Sequence, residues 1–292
     1  MDEKVKVGLA GAGPWAHMVH APILAGSPDT ELVGVWARRS DAAAELATKH
    51  DARAFASYDE LLDACDAIAF CVPPDVQASM AITAAKAGKT LLLEKPIALD
   101  LPSALELVDA VDAAGVGTVV LLSMRYADPV TEFIAQCAGL GDLLGGRGAW
   151  ISGALLDGSP FATPWRLEHG PLPDLGPHAI DLVDAAVGRV VAVKASGDSR
   201  GWVSLLLEHD NGATSTIDLC ATAPGASAST VEVYGAAGAA RIDASRAVDA
   251  TSMRRVPAAL AAAHRGEKTD APDVHRGLHL QKIIDAAASQ LR

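Results

Sequence analysis

The first 125 residues alternate short apolar runs with amphipathic stretches, and this rhythm constrains the fold more than any single residue. Strand-like runs occur at Val5–Ala10, Leu32–Ala37, Ala67–Val72, Thr90–Glu94 and Thr118–Leu122, with a weaker one at Arg53–Phe55. Helix signals lie between them. Ser57 and Glu60 form a capping box ahead of Leu61 and Leu62. Gly88 stops the alanine-rich segment 77–87, and Gly115 stops 101–114. Strands that alternate with helices pair in parallel through right-handed crossovers, so the N-terminal part is predicted to be a doubly wound parallel α/β sheet.

After Arg125 the pattern changes. A helix-like piece, Pro129–Ala138, leads into a glycine-rich turn and then into strand-like runs at 147–156, 190–196, 201–208, 213–220 and 230–242. The Asp210-Asn211-Gly212 turn joins two of them as a hairpin. Strands with few helices between them predict an α+β domain with a mostly antiparallel open sheet. The division is therefore 1–124 and 125–292, closed by an amphipathic helix at about 275–290 that is free to pack back on the first domain. Alternation in STVEVYG and GWVSLLLEH predicts a two-faced sheet whose exposed apolar face is covered by a second copy, making the protein a homo-oligomer through this sheet.

Half of the 292 residues are apolar and 21% are charged, the balance of a globular protein. A net charge of −12 excludes nucleic acid or an anionic membrane as the main partner. The longest stretch without charge, Val7–Pro28, holds four glycines and three prolines and lacks the basic start of a signal peptide. It is read as globular structure, with a cytoplasmic location. Cys65, Cys71, Cys137 and Cys220 are scattered, without metal-ligand spacing, so reduced thiols and no metal are expected.

The first strand runs into Gly11-Ala12-Gly13-Pro14-Trp15-Ala16, a G-x-G-x-x-A sequence placed after a strand and opening a helix. Gly11 suits the tight turn, Gly13 lets a pyrophosphate approach the backbone, and Ala16 keeps the helix close to the sheet. Pro14 fits the helix's first turn. The free amides there would bind a dinucleotide's phosphates, which makes the N-terminal domain a Rossmann domain. NAD specificity calls for an acidic residue at the end of the second strand. Ala37 stands there instead, followed by Arg38, Arg39 and Ser40, whose guanidiniums and hydroxyl suit a 2′-phosphate. NADP(H) is thus expected in preference to NAD(H). The competing reading of Ser40 is a cap for a helix starting at Asp41.

Glu94-Lys95-Pro96 stands at the end of the Thr90–Glu94 run, and Asp174-Leu175-Gly176-Pro177-His178 lies downstream. Together with the glycine loop these motifs resemble the Gfo/Idh/MocA oxidoreductases, a family with glucose–fructose oxidoreductase, inositol dehydrogenases and dihydrodiol dehydrogenases. Val72-Pro73-Pro74 matches that family's loop after the fourth strand, Trp165-Arg166 precedes the second motif as is usual there, and the closing helix is similar. The resemblance implies that Lys95 lies near the nicotinamide and the substrate hydroxyl, with Asp174 and His178 facing it from the second domain. It adds Val72, Pro73, Pro74, Trp15 and Glu94 to the cofactor site, and Arg125, Tyr126, Trp165 and Arg166 as substrate contacts.

Residue chemistry agrees with this. A parallel sheet binds ligands at the carboxyl ends of its strands, where Lys95 falls. His178 titrates near neutrality and suits proton transfer to or from an alcohol. Lys95 would bind and polarise the reacting oxygen, although the two roles can be exchanged. Pro177 is expected in the first turn of a helix starting about Gly176, with Asp174 preceding it and Asp181 one turn beyond His178. His17 and His20 are read as helix-surface residues, and His169 as pocket-lining or structural. Gln77 stands where many members carry histidine, and Pro171 interrupts the usual glycine pair, so the substrate pocket departs from the family pattern. The expected activity is hydride transfer at a CH–OH/C=O centre of a small sugar-, cyclitol- or diol-like substrate. Two other readings share the fold: a non-catalytic cofactor-binding regulator, and a reductase of an imine or tetrapyrrole-type substrate.

Overall fold

The computed structural model describes residues 3–292. Two compact units emerge, one of residues up to Leu121 together with Met253–Leu278, the other of Leu122–Ser252 together with His279–Arg292.

In the first unit β1 (Val5–Ala10) leads through a π-helical turn, Ala16–His20, into α1 (Ala21–Ala25). There follow β2 (Thr30–Trp36), α2 (Ser40–Lys49), β3 (Arg53–Ala54), α3 (Tyr58–Asp63), β4 (Ala67–Phe70), α4 (Pro74–Lys86), β5 (Thr90–Leu93), α5 (Leu101–Ala114) and β6 (Thr118–Val120). All pairings are parallel, in the order β3-β2-β1-β4-β5-β6. Strand order reverses beside β1, which opens a crevice between β1 and β4 at the carboxyl edge. Every residue of β4 and β5 is buried, as a sheet covered on both faces requires. Local signals set the helix ends. Asp100 Oδ1 accepts from the Ser103 N–H at 2.8 Å, and Gly115 ends α5 at φ 65°.

The expected boundary at residue 124 gives way to a discontinuous unit. Helix Arg255–His264, which the sequence pattern does not single out, packs on β5 and β6. A Cβ at Gly117 would stand 2.3 Å from the Ala263 carbonyl oxygen, so only glycine permits this approach. The Val120 N–H donates to the Pro272 carbonyl at 2.7 Å.

In the second unit a 3₁₀ turn, Ser123–Tyr126, precedes α6 (Asp128–Ala138), β7 (Leu143–Ser152), α7 (Pro164–His169) and α8 (Pro171–Val187). Then come β8 (Val190–Gly197), β9 (Trp202–His209), β10 (Thr214–Cys220), β11 (Ser227–Gly235) and β12 (Gly238–Asp243). The order is β12-β11-β7-β10-β9-β8, antiparallel except where β7 pairs with β10. Two strand expectations need correction. The run 230–242 is two strands folded over Ala236-Ala237, a turn without the usual Asn-Gly signal. Of the glycines expected in a turn, Gly139 and Gly141 lie there, whereas Gly145 and Gly146 lie inside β7, where a Cβ at Gly145 would meet the Thr214 carbonyl oxygen at 2.4 Å.

Helix α8 covers one face of this sheet, over Val203, Leu205, Leu207, Ile217, Leu219, Val231 and Val233, all buried. The other face carries both polar and apolar side chains. Period-two alternation sends Thr214, Thr216, Arg147 and Glu232 outward with Trp202, Leu206 and Tyr234 among them. Two buried polar side chains of this unit, Asp184 and His209, are paired: Asp184 accepts from the Val190 N–H at 2.8 Å and meets His279 Nε2 at 2.7 Å. Likewise, His209 bridges the Gly188 carbonyl and Ser215 Oγ.

Candidate active site

The glycine loop leaves the end of β1 held on both sides. The Gly11 N–H donates to the Trp36 carbonyl at 2.7 Å, and the Cys71 N–H donates to the Ala10 carbonyl at 2.8 Å. Gly11 has φ 119°, and a Cβ there would lie 2.1 Å from the Cys71 carbonyl oxygen. No other residue fits. Around Gly13 the reverse holds: a Cβ would meet nothing within 4 Å. Ala16 is fully buried where the helix meets the sheet, and Pro14 occupies the helical turn before it. A tight glycine turn, an open glycine and a helix start are what a dinucleotide's phosphates need, so these residues fit a nicotinamide dinucleotide.

At the end of β2, Ala37 is half-buried and Arg38, Arg39 and Ser40 are exposed. Helix α2 begins at Ser40, with Arg39 extended at the N-cap and no side-chain cap bond. The capping role considered for Ser40 is therefore not adopted; Ser40 is the first residue of the helix, directly after Arg38 and Arg39 in the chain. Val72 and Pro73 lead into α4, Pro73 extended at the N-cap and Pro74 at the first helical position.

The Lys95 turn is built around Glu94. Glu94 Oε1 accepts from Trp15 Nε1 at 2.8 Å and meets His20 Nε2 at 2.6 Å, tying the glycine-loop helix to the end of β5. Within the described residues His20 Nδ1 has no hydrogen-bond partner. His20 is completely buried, contrary to the surface position expected for it. The π turn inserts one extra residue between the loop and His20, which moves the imidazole onto the inner face. The Lys95–Pro96 peptide is cis. Gln77, marked in the sequence only as a departure from the family, is fully buried against this turn. No local pattern signals that contact; the one hint is an amide among the apolar residues of α4.

In the second unit Asp174, His178 and Asp181 share one face of α8, at spacings of four and three. Asp174 lies inside the helix rather than before it, because α8 starts at Pro171 and not near Gly176. Pro171 and Pro173 fill first-turn positions whose N–H groups need no partner, and the helix continues through Pro177. Asp174 Oδ1 accepts from Arg166 Nε at 3.0 Å, while Arg166 Nη1 donates to Thr163 Oγ1 at 3.2 Å. The same guanidinium stacks on Trp165, 4.7 Å from the ring centroid. Arg125 Nη1 lies 3.8 Å from Asp181 Oδ2. Each carboxylate beside His178 is thus matched to one of the arginines expected to contact substrate. Tyr126 is buried, and burial pushes its phenol well above the usual range, keeping it protonated as a potential donor. His169 and Trp165 are half-buried.

Among the described residues no cluster of His, Cys, Asp or Glu could hold a metal ion, and no helix is long and apolar enough to cross a membrane. Comparison with known proteins finds glucose-6-phosphate 3-dehydrogenase of Bacillus subtilis, 28% identical over 186 residues, which are 61% of this chain and 52% of that protein. Inositol 2-dehydrogenase of Rhizobium meliloti is 27% identical over 261 residues, 84% of this chain and 77% of that one. The chain spans little more than half the length of the first curated relatives it matches. The crystal structure of GenD2 from gentamicin A biosynthesis, in complex with NAD, superposes with a TM-score of 0.88 at 23% identity, over 99% of this chain and 95% of that one. That likeness establishes the fold. An oxidoreductase-family model with an NAD-binding Rossmann fold matches residues 5–121, and the GFO/IDH/MocA C-terminal domain model matches 105–241. With both halves matched in order, the chain belongs to the GFO/IDH/MocA oxidoreductase family.

Proposed function

We propose that this protein is an NADP(H)-dependent oxidoreductase acting on a CH–OH/C=O centre of a small, polar, sugar-, cyclitol- or diol-like molecule. The observation that carries this reading is the carboxyl edge of the first sheet. There an open glycine cradle and Lys95 occur together, tied by the Trp15–Glu94 hydrogen bond. The relatives named above act on glucose 6-phosphate and inositol, which supports a polyhydroxylated substrate.

When bound, the nicotinamide supplies the hydride acceptor or donor. The phosphates would be held by the amides after Gly11 and Gly13, and a 2′-phosphate by Arg38, Arg39 and Ser40. The absence of a carboxylate at Ala37 supports NADP(H) over NAD(H). Oxidising an alcohol to a carbonyl releases one hydride and one proton. His178 would take that proton, and return it in the reverse direction. Lys95 would hold the reacting oxygen through its ammonium group, favouring the alkoxide-like charge that develops there. Asp174 and Asp181 would hold Arg166 and Arg125 toward substrate hydroxyl or acidic groups.

The test follows NADPH absorbance against a panel of sugars, cyclitols, diols and keto compounds. Once a substrate is found, Lys95→Met and His178→Asn should each slow turnover by ~10²–10⁴. Full activity in both variants would overturn the assignment, whereas cofactor binding without turnover of anything on the panel would favour the regulator. We also propose that the protein self-associates through the open sheet face of the second unit, where Trp202, Leu206 and Tyr234 are exposed.

A further inference from the structure

We infer that Gln77 is a positioning residue for Lys95, a role that rests on the reading of Lys95 given above. The ladder of β5 ends at Leu93, which pairs with Val120 of β6, while on the other side Leu92 pairs with Ala69 of β4. The next residue, Glu94, has no strand partner. Its N–H donates to Gln77 Oε1 at 2.8 Å, and Gln77 Nε2 donates to its carbonyl at 2.8 Å. One side-chain amide therefore extends the ladder by a residue.

The same Nε2 also reaches the carbonyls of Pro96 and Ile97, each at 3.2 Å. Two N–H groups serve three carbonyls drawn from both sides of Lys95. Gln77 stands near the start of α4, three residues after Pro74, and its side chain is fully buried. Apolar packing of Leu91, Leu92 and Leu93 would hold β5 without it. What the amide adds lies outside the ladder, where it fixes the backbone that aims Lys95. The Glu94 carboxylate, gripped by Trp15 and His20, anchors the same turn to the cofactor-loop helix. Donor and acceptor must both be present, and at this length, so neither a carboxylate nor a thioether can replace the carboxamide.

Two variants test this, Gln77→Met and the near-isosteric Gln77→Glu, in the full chain. The first measurement needs no substrate: amide exchange across residues 90–98 should speed at least ~10-fold in both variants, with protection elsewhere in β1 and β4 retained. The second is kinetic. In both variants kcat should fall ~10- to 100-fold, with KM and the NADPH dissociation constant moving less than that. In a Lys95→Met background, Gln77→Met should cost almost nothing further, because its effect passes through the lysine. Unchanged exchange across 90–98 would overturn the inference, as would a Gln77→Met effect of equal size with and without Lys95. If Lys95→Met is fully active, the functional reading fails and takes this role with it. If Lys95→Met is impaired while both Gln77 variants are not, only the positioning role fails.

Discussion

Two glycines separated by one residue should respond in opposite ways to the same added methyl group. In Gly11→Ala the new Cβ would fall 2.1 Å from the Cys71 carbonyl oxygen and 2.7 Å from its carbon, at φ 119°. An L-residue held in such a conformation costs about 1–3 kcal/mol before the clash is relieved. At roughly 2–4 °C per kcal/mol, the ligand-free unfolding midpoint should drop by about 2–12 °C. In Gly13→Ala the methyl meets nothing within 4 Å, and the backbone lies outside the left-handed region. Replacing glycine at such a position leaves stability unchanged or raises it by about 0.4–1 kcal/mol, through the unfolded chain. Cofactor binding reverses the ranking of damage at Gly13. If the open space above it belongs to the pyrophosphate, the methyl separates phosphate from amides and disturbs a charge-assisted contact worth about 1.5–3 kcal/mol. The NADPH dissociation constant should then rise ~10- to 140-fold. Thermal unfolding without ligand and NADPH fluorescence titration read the two effects separately. A Gly13→Ala protein that binds NADPH as tightly as the parent would refute the phosphate assignment. An unshifted Gly11→Ala midpoint would refute the strain argument.

Further outcomes follow from the exposed ends of each unit. If these arginines hold a 2′-phosphate as proposed, Arg38→Ala with Arg39→Ala should weaken NADPH binding at least ~10-fold and leave NADH binding unaltered; equal losses for both cofactors in parallel titrations would contradict this. Trp202→Glu with Leu206→Glu should convert a multimer to monomer in size-exclusion chromatography with light scattering, without lowering the unfolding midpoint. A parent protein that is already monomeric excludes that surface.

Much of the first unit is legible because its signals are local. The Gly115 stop and the Ser57–Glu60 pair each act within five residues. Gly11 and Gly13 announce themselves because each needs a residue without a side chain, for two different reasons. Parallel pairing also follows from rhythm alone. What escapes the sequence acts over distance. Gln77 meets its partners 17 to 20 residues away, and His20 meets Glu94 over 74. No periodicity encodes such contacts, and the π turn Ala16–His20 buries a histidine expected at the surface. The start of α8 was misplaced because Pro177 reads as a helix beginning, although two earlier prolines had already occupied the positions that suit them. Gly145 and Gly146 read as turn residues, yet both lie within β7, and at Gly145 the neighbouring strand approaches too closely for a side chain.

The bond from Val120 N–H to Pro272 O links neighbours in space that are 152 residues apart in the chain. During synthesis the glycine loop, the arginines after β2 and the Lys95 turn all emerge early. The outer edge of β6, however, stays open until the ribosome has passed residue 272, and the groove beside Gly117 until Ala263 arrives. An exposed parallel edge is a template for pairing with other chains. The nucleotide-binding half is therefore not a detachable module: cutting after residue 124 would keep every cofactor contact proposed above and discard the segment that closes the sheet. Residues 253–278 thus complete the unit that the N-terminal strands begin.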